Sequence, residues 1–224
     1  MKKIFTAGQS IALIIILAAL LLLNQNNMKA QDLTDVSGEY HLRGIPEMAS
    51  GFKLNPDKTF EFFYIYGAAD RDAHGTYETD GNKIILKGSK IAGNDFEILL
   101  KKISGSGITV SITDENKILM KNVVCIFVNG NDTLDAITNS EGIANIDMPG
   151  CKEIRLIHPY FPDEPTIIDL SGSDDNYFEL SLKPSLQEVV FDNFILNIDD
   201  KDSKAFYCNH LYLFGQDDAR FVKN

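Results

Sequence analysis

The sequence predicts an all-β protein of the kind built as barrels and sandwiches, and three observations carry the prediction. After residue 30 no window of twelve or more residues places apolar side chains at i, i+3, i+4 and i+7, the signature of an amphipathic helix. Short runs of β-branched, aromatic and aliphatic residues recur instead, each closed by Gly, Asn, Asp or Pro. Within the clearest runs, Tyr177–Lys183 alternates apolar with polar residues, as a strand with one buried face requires, and Thr59–Tyr66 carries an aromatic residue at every second position from Phe60 to Tyr66.

The first thirty residues obey different rules. Lys2 and Lys3 precede Ile11–Leu23, an apolar run without a polar side chain, and Ala30 offers a small residue for cleavage before Gln31. That order predicts a secretory signal peptide over residues 1–30. Residues 4–23 are also about long enough for a retained inner-membrane anchor, and Met28 is a poor residue three positions before the cut. No Cys follows the apolar run, so no lipid attachment site is offered. The expected location is the periplasm or the medium, with membrane contact only through a retained N-terminal segment.

The chain carries 21 basic and 32 acidic residues, a net charge of −11. Losing residues 1–30 takes three lysines and no acid, leaving −14. Such a chain repels phosphate backbones, and it has no basic stripe with interleaved aromatics, so nucleic-acid binding is not expected. The three cysteines, Cys125, Cys151 and Cys208, include no Cys-x-x-Cys pair. That argues against a zinc knuckle or a thioredoxin-type couple. Cys125 lies in the apolar run Val123–Val128 and reads as a small buried hydrophobe, with a Cys125–Cys151 bridge as the alternative.

Seven strands are expected in the first half: Gly38–Leu42, Gly51–Asn55, Thr59–Tyr66, Gly75–Glu78, Lys83–Lys87, Phe96–Lys101 and Ile108–Ile112. Asn55–Lys58 and Asp80–Asn82 have the chemistry of tight hairpin turns, and Gly67–Gly75 reads as a polar loop. In Thr59–Tyr66 the side chains of Phe60, Phe62, Tyr64 and Tyr66 line one face, and Glu61, Phe63 and Ile65 the other. An aromatic face of this size needs cover, either from a second sheet or from an apolar ligand. Phe60, Phe62, Tyr64 and Tyr66 are therefore the candidate ligand-binding residues.

The polar stretch 113–116 is the expected domain boundary, dividing residues 33–115 from 118–224. Beyond it, strands are expected at Val123–Asn129, Asp135–Asn139, Gly142–Met148, Glu153–His158, Pro165–Leu170, Tyr177–Lys183, Val189–Ile198 and Ala205–Phe214. Val123–Asn129 is apolar on both faces, as a central strand would be.

Two stretches resemble known families. Gly51–Lys87 reads Gly-Phe-x-Leu-x-x-Asp-x-Thr-Phe-x-Phe, then Gly75-Thr-Tyr-Glu78 and Gly81-Asn-x-Ile-x-Leu86. It resembles the meander of lipocalin-like and NlpE-like small barrels of bacterial envelope proteins, over about one sixth of the chain. NlpE-like proteins carry a Cys-x-x-Cys and a lipidated Cys; this sequence has neither, so their metal-linked role is not implied. Val123–Leu182 contains Thr138-Asn139-x-x-Gly142-x-Ala144-x-Ile146 and Phe178-x-Leu180-x-Leu182. It is similar to the carboxypeptidase-regulatory-like, transthyretin-type β-sandwich, a non-catalytic module. The opening Gly-x-Val of that family is missing, and Phe191–Asn224 has no counterpart. Together the resemblances imply a small antiparallel meander barrel or half-barrel followed by a transthyretin-like sandwich. A single sandwich over 33–224 is the alternative.

No constellation points to catalysis or to a cofactor. His41, His74, His158 and His210 share no local motif, and no metal site is expected. Asp70-Arg71-Asp72 reads as a solvated hairpin tip, and Asp174–Asn176 and Asp199–Asp202 lack the Gly and distal Glu of a calcium loop. There is no Gly-x-Ser-x-Gly, phosphate loop or His-Glu-x-x-His. The expectation is a non-catalytic exported binding or structural module of the cell envelope, meeting another envelope protein. Phe161 within His158–Pro162 is a candidate contact. Alternatives are a carrier of a small apolar ligand in the N-terminal barrel, and a hydrolase with its site between the domains.

Overall fold

A computed structural model describes residues 35–224 apart from Ala68, Gln216 and Asp217. The expected signal peptide and its alternative as an anchor fall outside the described residues. The chain first runs through β1 (Gly38–Arg43), β2 (Met48–Leu54), β3 (Thr59–Tyr66), β4 (Ala69–Asp80) and β5 (Lys83–Gly88). It continues as β6 (Phe96–Lys102), β7 (Ile108–Thr113), the single helical turn α1 (Lys117–Met120), β8 (Val124–Asn129), β9 (Asp132–Ile137) and β10 (Ile143–Ile146). Then come β11 (Glu153–His158), β12 (Phe161–Asp169), β13 (Tyr177–Leu182) and a 3-10 turn, Pro184–Gln187. It ends with β14 (Phe194–Asp199), β15 (Asp202–Cys208), a second helical turn α2 (Leu211–Phe214) and β16 (Ala219–Lys223).

Eight of these strands close a barrel in the order β1-β16-β15-β14-β5-β4-β3-β2, with every neighbouring pair antiparallel. The other eight form two four-stranded sheets, β10-β7-β13-β6 and β12-β11-β8-β9, which share one buried apolar cluster. The strands therefore do not divide between sheets at residues 113–116. β6 and β7 precede that stretch yet pair in the second group; β14 to β16 follow it yet complete the barrel. The first five strands do not close on one another, because β1 and β5 pair with β16 and β14 rather than with each other, and eight strands give an interior that side chains can just fill. The three remaining barrel strands follow the sandwich strands along the chain.

Local sequence chemistry accounts for several turns. Asp57 accepts from the Thr59 N–H at 3.1 Å, fixing the β2–β3 hairpin. Asn139 accepts from the N–H groups of Glu141 and Ile143, and Gly142 follows at φ +76°. A Cβ on Gly142 would stand 2.2 Å from the Ile112 carbonyl oxygen, so only glycine fits this turn.

Other expectations need correction. β4 begins at Ala69, so Asp70-Arg71-Asp72 is not a solvated tip. Register with β3 places Arg71 opposite Tyr64, pointing inward. β13 is antiparallel to β6 but parallel to β7, because the chain leaves β7 for β8 in the other sheet and returns later. Residues 189–193 are not strand. The expected strand Ala205–Phe214 stops at Cys208 and gives way to α2, and β16, which was not expected, follows. All three cysteines are buried and free, and desolvation pushes the Cys125 thiol up to about 12.

Candidate functional site at the barrel–sandwich junction

Residues 36–224 form one compact unit, and charged side chains hold its barrel and sandwich together. Arg71 on β4 and Lys90, two residues past β5, come from the barrel side. Asp163 on β12 and Asp95, just before β6, come from the sandwich side. Arg71 Nη2 donates to Asp163 Oδ2 at 2.6 Å, and Lys90 Nζ reaches the same oxygen at 2.9 Å and Asp95 Oδ1 at 2.9 Å. The cation side chains are 2% and 1% exposed. Arg71, Lys90 and Asp95 are thus buried and Asp163 partly so, two positive and two negative groups in one neutral set, the condition under which buried charge is tolerated.

The same cations fasten the strap that leads from β13 back to the barrel. Arg71 donates to the carbonyls of Gln187 and Glu188, and Lys90 to those of Leu186 and Glu188. Val189 then donates its N–H to Asp72 O at 2.7 Å, and Gly88 donates to Phe191 O at 2.6 Å. Each orphan carbonyl of the 3-10 turn is thereby satisfied. Burial raises the Asp95 carboxyl, against the lowering effect of Lys90.

Beside this ionic lock lies an open, mainly apolar groove of about 360 Å³. Its walls include Ala69 and Asp70 of β4, Ile118 and Leu119 of α1, and Tyr160 and Phe161 where β11 turns into β12. Asn116 caps α1 by accepting from the Ile118 N–H at 3.1 Å. His158 holds the other end of that wall. Its Nε2 bonds Leu119 O at 3.0 Å and its Nδ1 accepts from the Tyr160 N–H at 3.3 Å, so the ring is a neutral Nε2–H tautomer with both nitrogens used. Desolvation lowers its pKa. Phe161 joins groove to lock, with its ring 5.7 Å from Arg71 Cζ.

The candidate residues of β3 lie elsewhere. Phe60, Phe62 and Tyr64 point into the barrel and are buried, while Tyr66, at the strand end, is 48% exposed. Phe62 packs on Phe52 and Phe191 at ring separations of 4.6 and 5.2 Å, and Phe60 meets Phe191 at 5.8 Å. Cover for the aromatic face comes from Phe191, inserted by the strap, and from Phe206 and Phe221 of the late strands. Phe161, the candidate contact, is buried rather than exposed; its neighbour Tyr160 carries the exposure. Lys90, Asp95 and Asp163 carry no signal in the sequence, because no local pattern pairs residues up to 73 positions apart.

The histidines are not brought together as a site. His41 packs edge-on to Phe63 on the outer barrel face, His74 is exposed on β4, and His210 lies against Phe191 and Phe194. Burial lowers the His210 pKa, partly opposed by Asp163. Among the described residues no group of three His, Cys, Asp or Glu is placed to hold a metal ion. Among the same residues no helix is long and apolar enough to cross a membrane.

No protein-family model matches the chain. No curated protein matches it by sequence. Among solved structures it is similar to the Cpx pathway activator NlpE from Escherichia coli, at 10% identity and a TM-score of 0.20, covering 66% of this chain and 96% of that one. A score that low carries no argument, and the barrel rests on the strand pairing itself.

Proposed function

We propose that the chain is a non-catalytic exported protein of the cell envelope, a binding or structural module whose contact surface is the junction groove. The observation that carries this reading is the pairing of a buried ionic lock with an open apolar groove. The lock holds barrel and sandwich in fixed register. The groove then offers Ile118 and Tyr160, 57% and 51% exposed, as preset anchors for an apolar side chain of a partner. The Asn139–Gly142 turn supports the transthyretin-type reading of the sandwich, and the eight-stranded closure supports the small-barrel reading of the rest. Export rests on the character of residues 1–30.

The two alternatives find less support. A carrier needs space beside Phe60 and Phe62, where Phe52 and Phe191 stand. A hydrolase between the domains needs open titratable groups, whereas Arg71, Lys90, Asp95 and Asp163 are committed to one another. The test is a photo-crosslinking residue placed in cells at Ile118, at Tyr160 and, as a control, at exposed Lys204. A discrete protein adduct at the first two, lost when the Tyr160 probe is combined with Ile118→Asp, is the expected result. Equal adducts at Lys204, or none at Ile118 and Tyr160, would refute the reading.

A further inference from the structure

The sandwich sheet β10-β7-β13-β6 ends in a strand whose outer edge has no backbone partner among the described residues. β6 reads Phe96-Glu-Ile-Leu-Leu-Lys-Lys102, and all but Phe96 is exposed. Ile98, Leu99 and Leu100 stand 44%, 53% and 43% open to solvent. The pairing with β13 shifts between Leu180, opposite Ile98, and Glu179, opposite Leu100, so Leu99 is the extra residue of a bulge. An edge carrying three consecutive exposed apolar side chains is a template for another strand. Its bulge and paired lysines restrict which strand can pair.

Register decides the faces. Glu97 pairs with Ser181, Leu100 with Glu179 and Lys102 with Tyr177, all on the outer face of the sheet, away from buried Phe178, Leu180 and Leu182. The bulge shifts Lys101 to the other face, opposite Phe178. The outer face therefore presents a carboxylate, an apolar centre and an ammonium in that order. Glu97 has no ion-pair partner among the described residues. A strand with this order is complementary to itself when turned antiparallel, which preserves the face while reversing direction.

We propose that this edge joins two copies of the chain, β6 pairing antiparallel with β6 of a second copy about a two-fold axis between Leu99 and Leu100. Glu97 of each copy then stands beside the partner's Lys102, and Leu99 and Leu100 of both copies cover one another. The four-stranded sheet becomes an eight-stranded sheet running through the dimer. At a net charge of −11, two copies repel overall, so the two symmetric Glu97–Lys102 contacts also select the register.

The test uses the purified chain in sedimentation-equilibrium ultracentrifugation, with far-ultraviolet circular dichroism to confirm folding of each variant. The chain should dimerise at micromolar to tens-of-micromolar concentration. Glu97→Lys or Lys102→Glu alone turns two attractions into two repulsions and should weaken dimerisation about tenfold or more. The double variant Glu97→Lys with Lys102→Glu should restore it, because each pair is re-formed with its signs exchanged. A monomer at a hundred micromolar overturns the proposal. So does a dimer indifferent to both single variants, or one that the double variant fails to restore.

Discussion

Deleting residues 189–224 takes away β14, β15 and β16, three of the eight barrel strands, together with the inserted ring of Phe191. The magnitude follows from the packing. Nine of the twenty buried residues in the barrel cluster lie in the deleted stretch, among them Phe191, Phe206, Phe214 and Phe221. Truncating one buried Phe costs about 3 to 5 kcal/mol, so these four rings alone account for about 12 kcal/mol. That equals the whole stability of an ordinary domain, about 5–15 kcal/mol. The cut also leaves β1 and β5 as unpaired edges. The sandwich cluster, by contrast, contains no residue beyond Leu186. Hydrogen exchange followed by mass spectrometry separates the two regions. In a chain ending at Glu188, amides of residues 38–88 should exchange as freely as in an unfolded chain, while those of 96–182 stay protected. Native-like protection of 38–88 in the shortened chain would refute the claim that closure, rather than the first five strands, makes the barrel stable.

Two further predictions concern charge. Arg71→Met leaves Asp163 with one cation instead of two and frees the Gln187 carbonyl, so it should cost about 3 kcal/mol in urea denaturation; a loss under 1 kcal/mol would mean the lock does not hold the junction. His158 and His210 both have folded pKa values lowered by burial. Below about pH 6.5 the unfolded chain takes up protons that the folded chain refuses. Stability should therefore be level above that pH and fall as pH drops toward the depressed values, by about 1.4 kcal/mol per pH unit for each histidine. Denaturation midpoints of His158→Gln across pH 5–8 should show one proton less of this dependence, and an unchanged slope would show that His158 is not held neutral.

Much of the fold was legible in sequence because it is local. Flanking turn residues set the limits of β3, period-2 alternation set the inward face of β13, and Asn139 with Gly142 fixed a turn through contacts four residues long. The aromatic face of Phe60, Phe62 and Tyr64 was equally visible, since strand geometry alone puts those side chains together. What covers that face was not, because Phe191 reaches it from over 120 residues away. Arg71 illustrates the limit. Between two aspartates it looks like a solvated tip, and only the meeting of β4 with β12 supplies the carboxylate that lets a guanidinium be buried.

Alternating side chains, turn residues and the apolar run Ile11–Leu23 were properties of the sequence by itself, since each depends on neighbours along the chain. Barrel closure by the last three strands, the ionic lock, the groove and the open edge of β6 were decided only in three dimensions. Each depends on segments far apart in the chain meeting in space, and no short-range pattern encodes which distant edge will satisfy a strand's backbone or which distant charge will neutralise a buried one.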